Sequence, residues 1–79
     1  FAGVSVGPNP FGEQLVLRTG TKALDYRLLS VDGRLLSTGR AAARTTAPVP
    51  FPALSAGTYL LHLAHSDGSA GQVLRVVKE

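Results

Sequence analysis

"GTYLLHLAHSDGSAGQVLRVVKE", residues 57–79, holds two apolar runs on either side of a small, polar centre. Asp67-Gly68 sits in that centre, and an Asp-Gly pair flanked by apolar runs is a strong local signal for a β-hairpin. A turn there sets Tyr59 opposite Val76, Leu61 opposite Leu74 and Leu63 opposite Gln72, with Leu60–Arg75 and His62–Val73 paired on the reverse face. One face is then almost wholly apolar and the other mixed, as in a sheet with one side on a core. A slip of one residue would turn the apolar face to water, so the register is firmly specified.

The same alternation continues upstream. In "LDYRLLS", 24–30, Leu24, Tyr26 and Leu28 share a face; "VDGR" follows, then "LLSTGR", 35–40. Asp32-Gly33 is a second turn signal, because Gly33 takes positive φ without a Cβ penalty. A two-residue turn pairs Leu35 with Ser30 and Leu36 with Leu29, whereas a type I turn with a glycine bulge shifts that register; both remain open. "APVPFPALSAG", 47–57, carries prolines at 48, 50 and 52, which suits an edge strand near 44–49 followed by a connection. Two further short strands fall near 3–7 and 14–18. No stretch sustains apolar residues at helical spacing, and the strands expected are 3–7, 14–18, 24–30, 35–40, 44–49, 57–65 and 70–78.

Seven short antiparallel strands in a single domain, 1–79, predict an all-β, two-sheet, immunoglobulin-like sandwich. The expected core is Val6, Leu15, Leu17, Leu24, Tyr26, Leu28, Leu35, Leu54, Tyr59, Leu61, Leu63, Leu74 and Val76.

Composition narrows the function. The chain has 79 residues, a net charge of +3 and no cysteine or methionine. A start at Phe1 without methionine reads as a piece of a longer protein. Without cysteine there is no disulfide framework or thiolate metal site. No apolar run approaches the ~20 residues that span a bilayer, and no signal-peptide pattern is visible. The six arginines are scattered rather than clustered, and most aromatics are claimed by the core, so nucleic-acid binding is disfavoured.

Candidates for catalysis are few. His65, Asp67 and Ser69 lie in the Asp67-Gly68 turn, where nothing buries or orients them, and triads are recognised by geometry rather than adjacency. His62 and His65 point to opposite faces of one strand and cannot share a metal. Glu13, Asp25, Asp32, Asp67 and Glu79 form no calcium cluster, and no phosphate or dinucleotide fingerprint occurs. The chain reads as a non-enzyme without cofactor or metal. In "PNPF", 8–11, Pro8 and Pro10 fix the backbone, Asn9 caps the turn and Phe11 anchors it to the core.

The order "V-x-P-N-P-F", then "D-G-R" after an apolar strand, then "L-S-A-G-T-Y-L-L", then "R-V-V-K-E" resembles the C-terminal sorting domain of type IX secretion cargo from the Bacteroidetes. The likeness runs from about Val4 to Lys78. It implies a seven-stranded sandwich that directs an attached cargo, from the periplasm, to the outer-membrane secretion machinery. It also implies removal by a surface sortase, upstream of the first strand, with the cargo left on the surface or released. By position, Pro8, Asn9 and Pro10 match the family's opening motif, Asp32, Gly33 and Arg34 its hairpin motif, and Gly57 and Tyr59 its glycine–aromatic motif. Arg75 and Lys78 match the basic residues of its terminal motif. Ser30 stands where members often carry an acidic or amide residue.

Two other roles compete with a secretion address. A passive immunoglobulin-like spacer or a carbohydrate-binding accessory domain would suit the same fold, the latter needing an exposed row of aromatics. The edge near 44–49 also invites self-association, although its prolines oppose it.

Overall fold

The computed structural model describes residues 4–8, 11–68 and 71–79. Its seven strands are β1 (Ser5–Gly7), β2 (Val16–Arg18), β3 (Leu24–Ser30), β4 (Leu35–Ala41), β5 (Thr46–Pro48), β6 (Gly57–His65) and β7 (Gly71–Lys78). They form two antiparallel sheets, in the orders β1-β2-β5 and β4-β3-β6-β7. The expected two-sheet sandwich is therefore present, with β4 beside β3 rather than in the other sheet as in constant-type immunoglobulin domains. Strands β1, β2 and β5 are shorter than expected, at three residues each.

The β6–β7 hairpin has the register that its alternation dictates: Tyr59 opposite Val76, Leu61 opposite Leu74, Leu63 opposite Gln72 and His62 opposite Val73. The Gly68 N–H closes the turn onto the His65 carbonyl at 2.8 Å. Asp67, once a triad candidate, is exposed and pairs with Lys22 at 3.2 Å. Ser69 lies outside the described residues.

The β3–β4 hairpin takes the bulged form. Gly33 donates to the Ser30 carbonyl and Ser30 to the Arg34 carbonyl, both at 2.9 Å. Gly33 has φ 91, the left-handed position that closes a three-residue loop after a type I turn. Leu29 then faces Leu35, and the register shifts so that Leu28 faces Ser37. This corrects one core assignment. Leu35 is 54% exposed because the glycine bulge pairs it with the outward-facing Leu29 instead of with Ser30, whose face is that of the inward Leu28. Further along, Gly39 faces Tyr26, whose ring lies where a Cβ on Gly39 would be.

Leu15, Leu17, Leu24, Leu28 and Leu61 are fully buried, joined by Phe11. Val6, Leu54, Tyr59 and Leu74 pack against them only partly buried. Ala41 and Val49 are core residues that alternation did not single out. Val49 N–H bonds to the Leu15 carbonyl at 2.7 Å, so alternation along β5 turns the Pro48 nitrogen to the open edge. A proline there removes no ladder hydrogen bond, which explains how an edge strand tolerates it.

The two sheets are tied at their crossover by Thr19, a buried polar residue. Its Oγ1 donates to the Ala42 carbonyl at 2.6 Å and accepts from the Thr45 N–H at 2.9 Å. Beside it Arg44 holds a left-handed φ of 54. Thr19→Val keeps the shape but leaves the part-buried Thr45 N–H without its acceptor, while the Ala42 carbonyl keeps the Thr45 hydroxyl at 2.7 Å; an unsatisfied group of this kind costs about 1–3 kcal/mol. Thermal denaturation is expected to show a Tm drop of at least about 5 °C, since 1 kcal/mol shifts a domain of this size by about 4–8 °C; a Tm within about 1 °C of the parent would contradict the role given to Thr19.

Candidate recognition site

The first residues of β6 are the hub around which the sequence motifs assemble. Gly57 faces Lys78, and Tyr59 faces Val76 on one side and Ser30 on the other. The glycine–aromatic pair therefore sits between the end of β7 and the strand that runs into the Asp32–Arg34 turn. Gly57 has φ 154, a conformation that side-chain-bearing residues rarely adopt, and it begins the strand there. Tyr59 is half-buried, and its hydroxyl donates to the Ser55 carbonyl at 2.7 Å, fixing the approach to β6.

Phe11 brings in the opening motif. Its N–H donates to the Val77 carbonyl and its carbonyl accepts from the Glu79 N–H, both at 2.8 Å. The residue thus makes a parallel bridge to Lys78 and covers the free edge of β7 at its end. Its ring is fully buried and meets Phe51 edge-on, with centroids 5.3 Å apart and planes at 72°. That geometry suits the quadrupoles of two aromatic rings.

Asp32 and Arg34 project from the exposed turn. Ser30 Oγ donates to the Asp32 carboxylate and accepts from the Arg34 N–H at 3.1 Å. The Ser30 hydroxyl, then the residue's own N–H, with smaller help from the N–H and charge of Arg34, holds the Asp32 carboxyl below its ordinary range. Ser30 therefore organises this turn with a hydroxyl.

Most of the expected residues converge. Gly57, Tyr59 and Lys78 are joined by strand pairing, and the Asp32–Gly33–Arg34 turn extends from the neighbouring strand at the same end of the sheet. Pro8 follows β1 directly and is exposed; Asn9 and Pro10 lie outside the described residues. Arg75 stands apart, since it faces Leu60 and alternation turns it to the side of β7 opposite Lys78. The sequence did not reveal the Phe11 backbone bridge or the Phe51 contact. Among the described residues no three His, Asp or Glu side chains gather as a metal site, and no helix is long and apolar enough to cross a membrane.

The family described as the secretion system C-terminal sorting domain matches residues 5–78, from the first residue of β1 to the last of β7. This chain belongs to the type IX secretion C-terminal sorting domain family. No curated protein matches it. As a sorting domain it is a signal for passage toward the outer membrane or the extracellular space, which implies contact with the secretion machinery. The family is in general non-catalytic.

Two predictions concern the sorting domain's motif end. The Phe11 amide is expected to exchange with solvent as slowly as the amides of β7, and deletion of Val77–Glu79 to speed it at least tenfold by hydrogen exchange. Fast exchange in the intact chain would exclude the bridge. The second concerns pH. Because the folded Asp32 pKa lies below the unfolded value of about 3.9, its contribution to the turn is complete above that pH and is lost as pH falls through the folded value. By NMR titration, Ser30→Ala is expected to move the Asp32 midpoint upward, toward the ordinary range; an unchanged midpoint would remove the Ser30 hydroxyl as the main cause.

Proposed function

We propose that the type IX machinery reads the motif end of this sorting domain as a rigid shape: the Asp32–Gly33–Arg34 turn, Gly57, Tyr59, Lys78 and the entry segment that opens with Pro8, Asn9 and Pro10. The observation that carries this reading is the backbone bridge from Phe11 to Val77 and Glu79. It joins the entry motif to the terminal motif, so residues remote in sequence present one surface. A backbone-defined contour suits a receptor that must accept many cargoes on a common address. On this reading the chain is one self-contained domain that crosses the periplasm attached to its cargo. A surface sortase of the cysteine-peptidase type then removes it upstream of β1, and Arg75 contributes from the adjacent face. The aromatics Phe11, Tyr26, Phe51 and Tyr59 are buried or half-buried, so they form no sugar-stacking platform of the kind an accessory domain needs.

The test is a fusion of residues 1–79 behind a periplasmic reporter, expressed in hosts with and without the secretion machinery. The reporter is expected outside the cell only in the competent host and shorter by the length of the domain. Arg34→Glu combined with Lys78→Glu, both surface changes, is expected to lower export at least tenfold with the fold retained by circular dichroism. Retention of the unsubstituted fusion in the periplasm of the competent host would overturn the address; full export of the double variant would overturn the assigned surface.

A further inference from the structure

The outward face of the four-stranded sheet is unusually apolar for a surface. Alternation places Leu29, Leu60, Leu35, Val73 and Val77 on it, and strand pairing sets Leu35, Leu29 and Leu60 in one row across three strands. Leu35, Val73 and Val77 are 54%, 53% and 37% exposed, and Val31, at 67%, lies in the turn that adjoins the row. Single exposed apolar residues need no explanation, whereas a contiguous set on one face marks an interaction surface. Next to this row, toward the Asp25–Arg40 end of the same face, an open depression of about 820 Å³ spans the four strands; Asp25, Arg27, Thr38, Arg40 and His62 line it, and of the apolar set only Val73 reaches it.

Its charge is one-sided. Arg27 and Arg75 are exposed on this face, and Arg27 has no ion-pair partner among the described residues. Asp25, the face's carboxylate, is already engaged by Arg40 at 3.6 Å and by the Ser66 hydroxyl at 3.2 Å. Building on the sorting role, we infer that this face docks a protein of the secretion machinery whose complementary surface is a ridge of apolar side chains flanked by carboxylates.

Other occupants fit less well. A second copy of the chain would set Arg27 and Arg75 against like charge, an arrangement that costs affinity. A bilayer surface is engaged by protruding tyrosine, tryptophan and lysine anchors, and this face is concave with apolar and arginine side chains instead. Four strands at about 4.8 Å spacing and about eight residues at ~3.3 Å give a face near 500 Å². Stable complexes bury about 800 Å² per partner. A footprint of this order suits a small contact surface rather than a large obligate one.

The test uses the full cargo-bearing chain in secretion-competent cells. Leu35→Glu and Arg27→Glu are each expected to lower the export rate at least tenfold, Arg27→Lys to retain most of it, and Arg18→Glu, the same charge change on the other sheet, to leave it unchanged. All three positions are exposed, and thermal unfolding checks that each variant stays folded. Parent-level export of both Leu35→Glu and Arg27→Glu overturns the docking face while leaving the sorting role intact, as does an equal fall for Arg18→Glu. So does binding of the parent, but not Leu35→Glu, to phosphatidylglycerol vesicles, which would assign the face to lipid. A dimer in sedimentation that Leu35→Glu abolishes would assign it to a second copy and overturn the inference likewise. Failure of the parent itself to leave the periplasm removes the sorting role on which the inference rests.

Discussion

The fold depends on one residue that serves two sheets. Phe11 fills the interior with its ring and lends its backbone to β7, so the connection between β1 and β2 is held inside and along the edge at once. A ring alone would bury area but leave the end of β7 with unpaired amides. Backbone bonds alone would leave the loop around Phe51 without its edge-on neighbour. Both together close one side of a sandwich whose sheets share no strand. In a small domain, where buried area is scarce, such a closure covers the last residues of an edge that would otherwise be open to foreign strands.

That closure gives the motif end its character. Gly57 and Tyr59 begin β6 between the end of β7 and the end of β3, and the Asp32 turn extends from the latter. Backbone hydrogen bonds, rather than a cluster of reactive groups, fix the relative positions. The Ser30 hydroxyl orders the turn from within, which keeps Asp32 charged and Arg34 aimed outward on a short loop.

Much of this was legible in the amino acids, and the limits are physical. The β6–β7 register followed from Asp67-Gly68 and strict alternation, because one face had to be buried. Asp32-Gly33 announced a turn equally well, yet two turn geometries satisfied it; the bulge that decided between them moved Leu35 from the expected core to solvent. Phe11 read as an anchor from its place after the prolines, but its bridge to Val77 and Glu79 joins residues more than sixty positions apart and leaves no local trace. Thr19 is invisible for a similar reason: its partners Ala42 and Thr45 come near only when the crossover between sheets has formed. Arg75 and Lys78 read as a pair, whereas a spacing of three on a strand sends them to opposite faces.

The parallel sense of the Phe11–Lys78 bridge has a mechanical corollary. Tension applied to the chain ahead of Phe11, against a grip on Glu79, pulls two parallel segments in opposite directions along their length. The two flanking hydrogen bonds are then sheared together rather than peeled one after the other. Since forced unfolding is governed by the rate of crossing its barrier and not by equilibrium stability, a pull along this bridge meets more resistance than the same two bonds would offer to peeling.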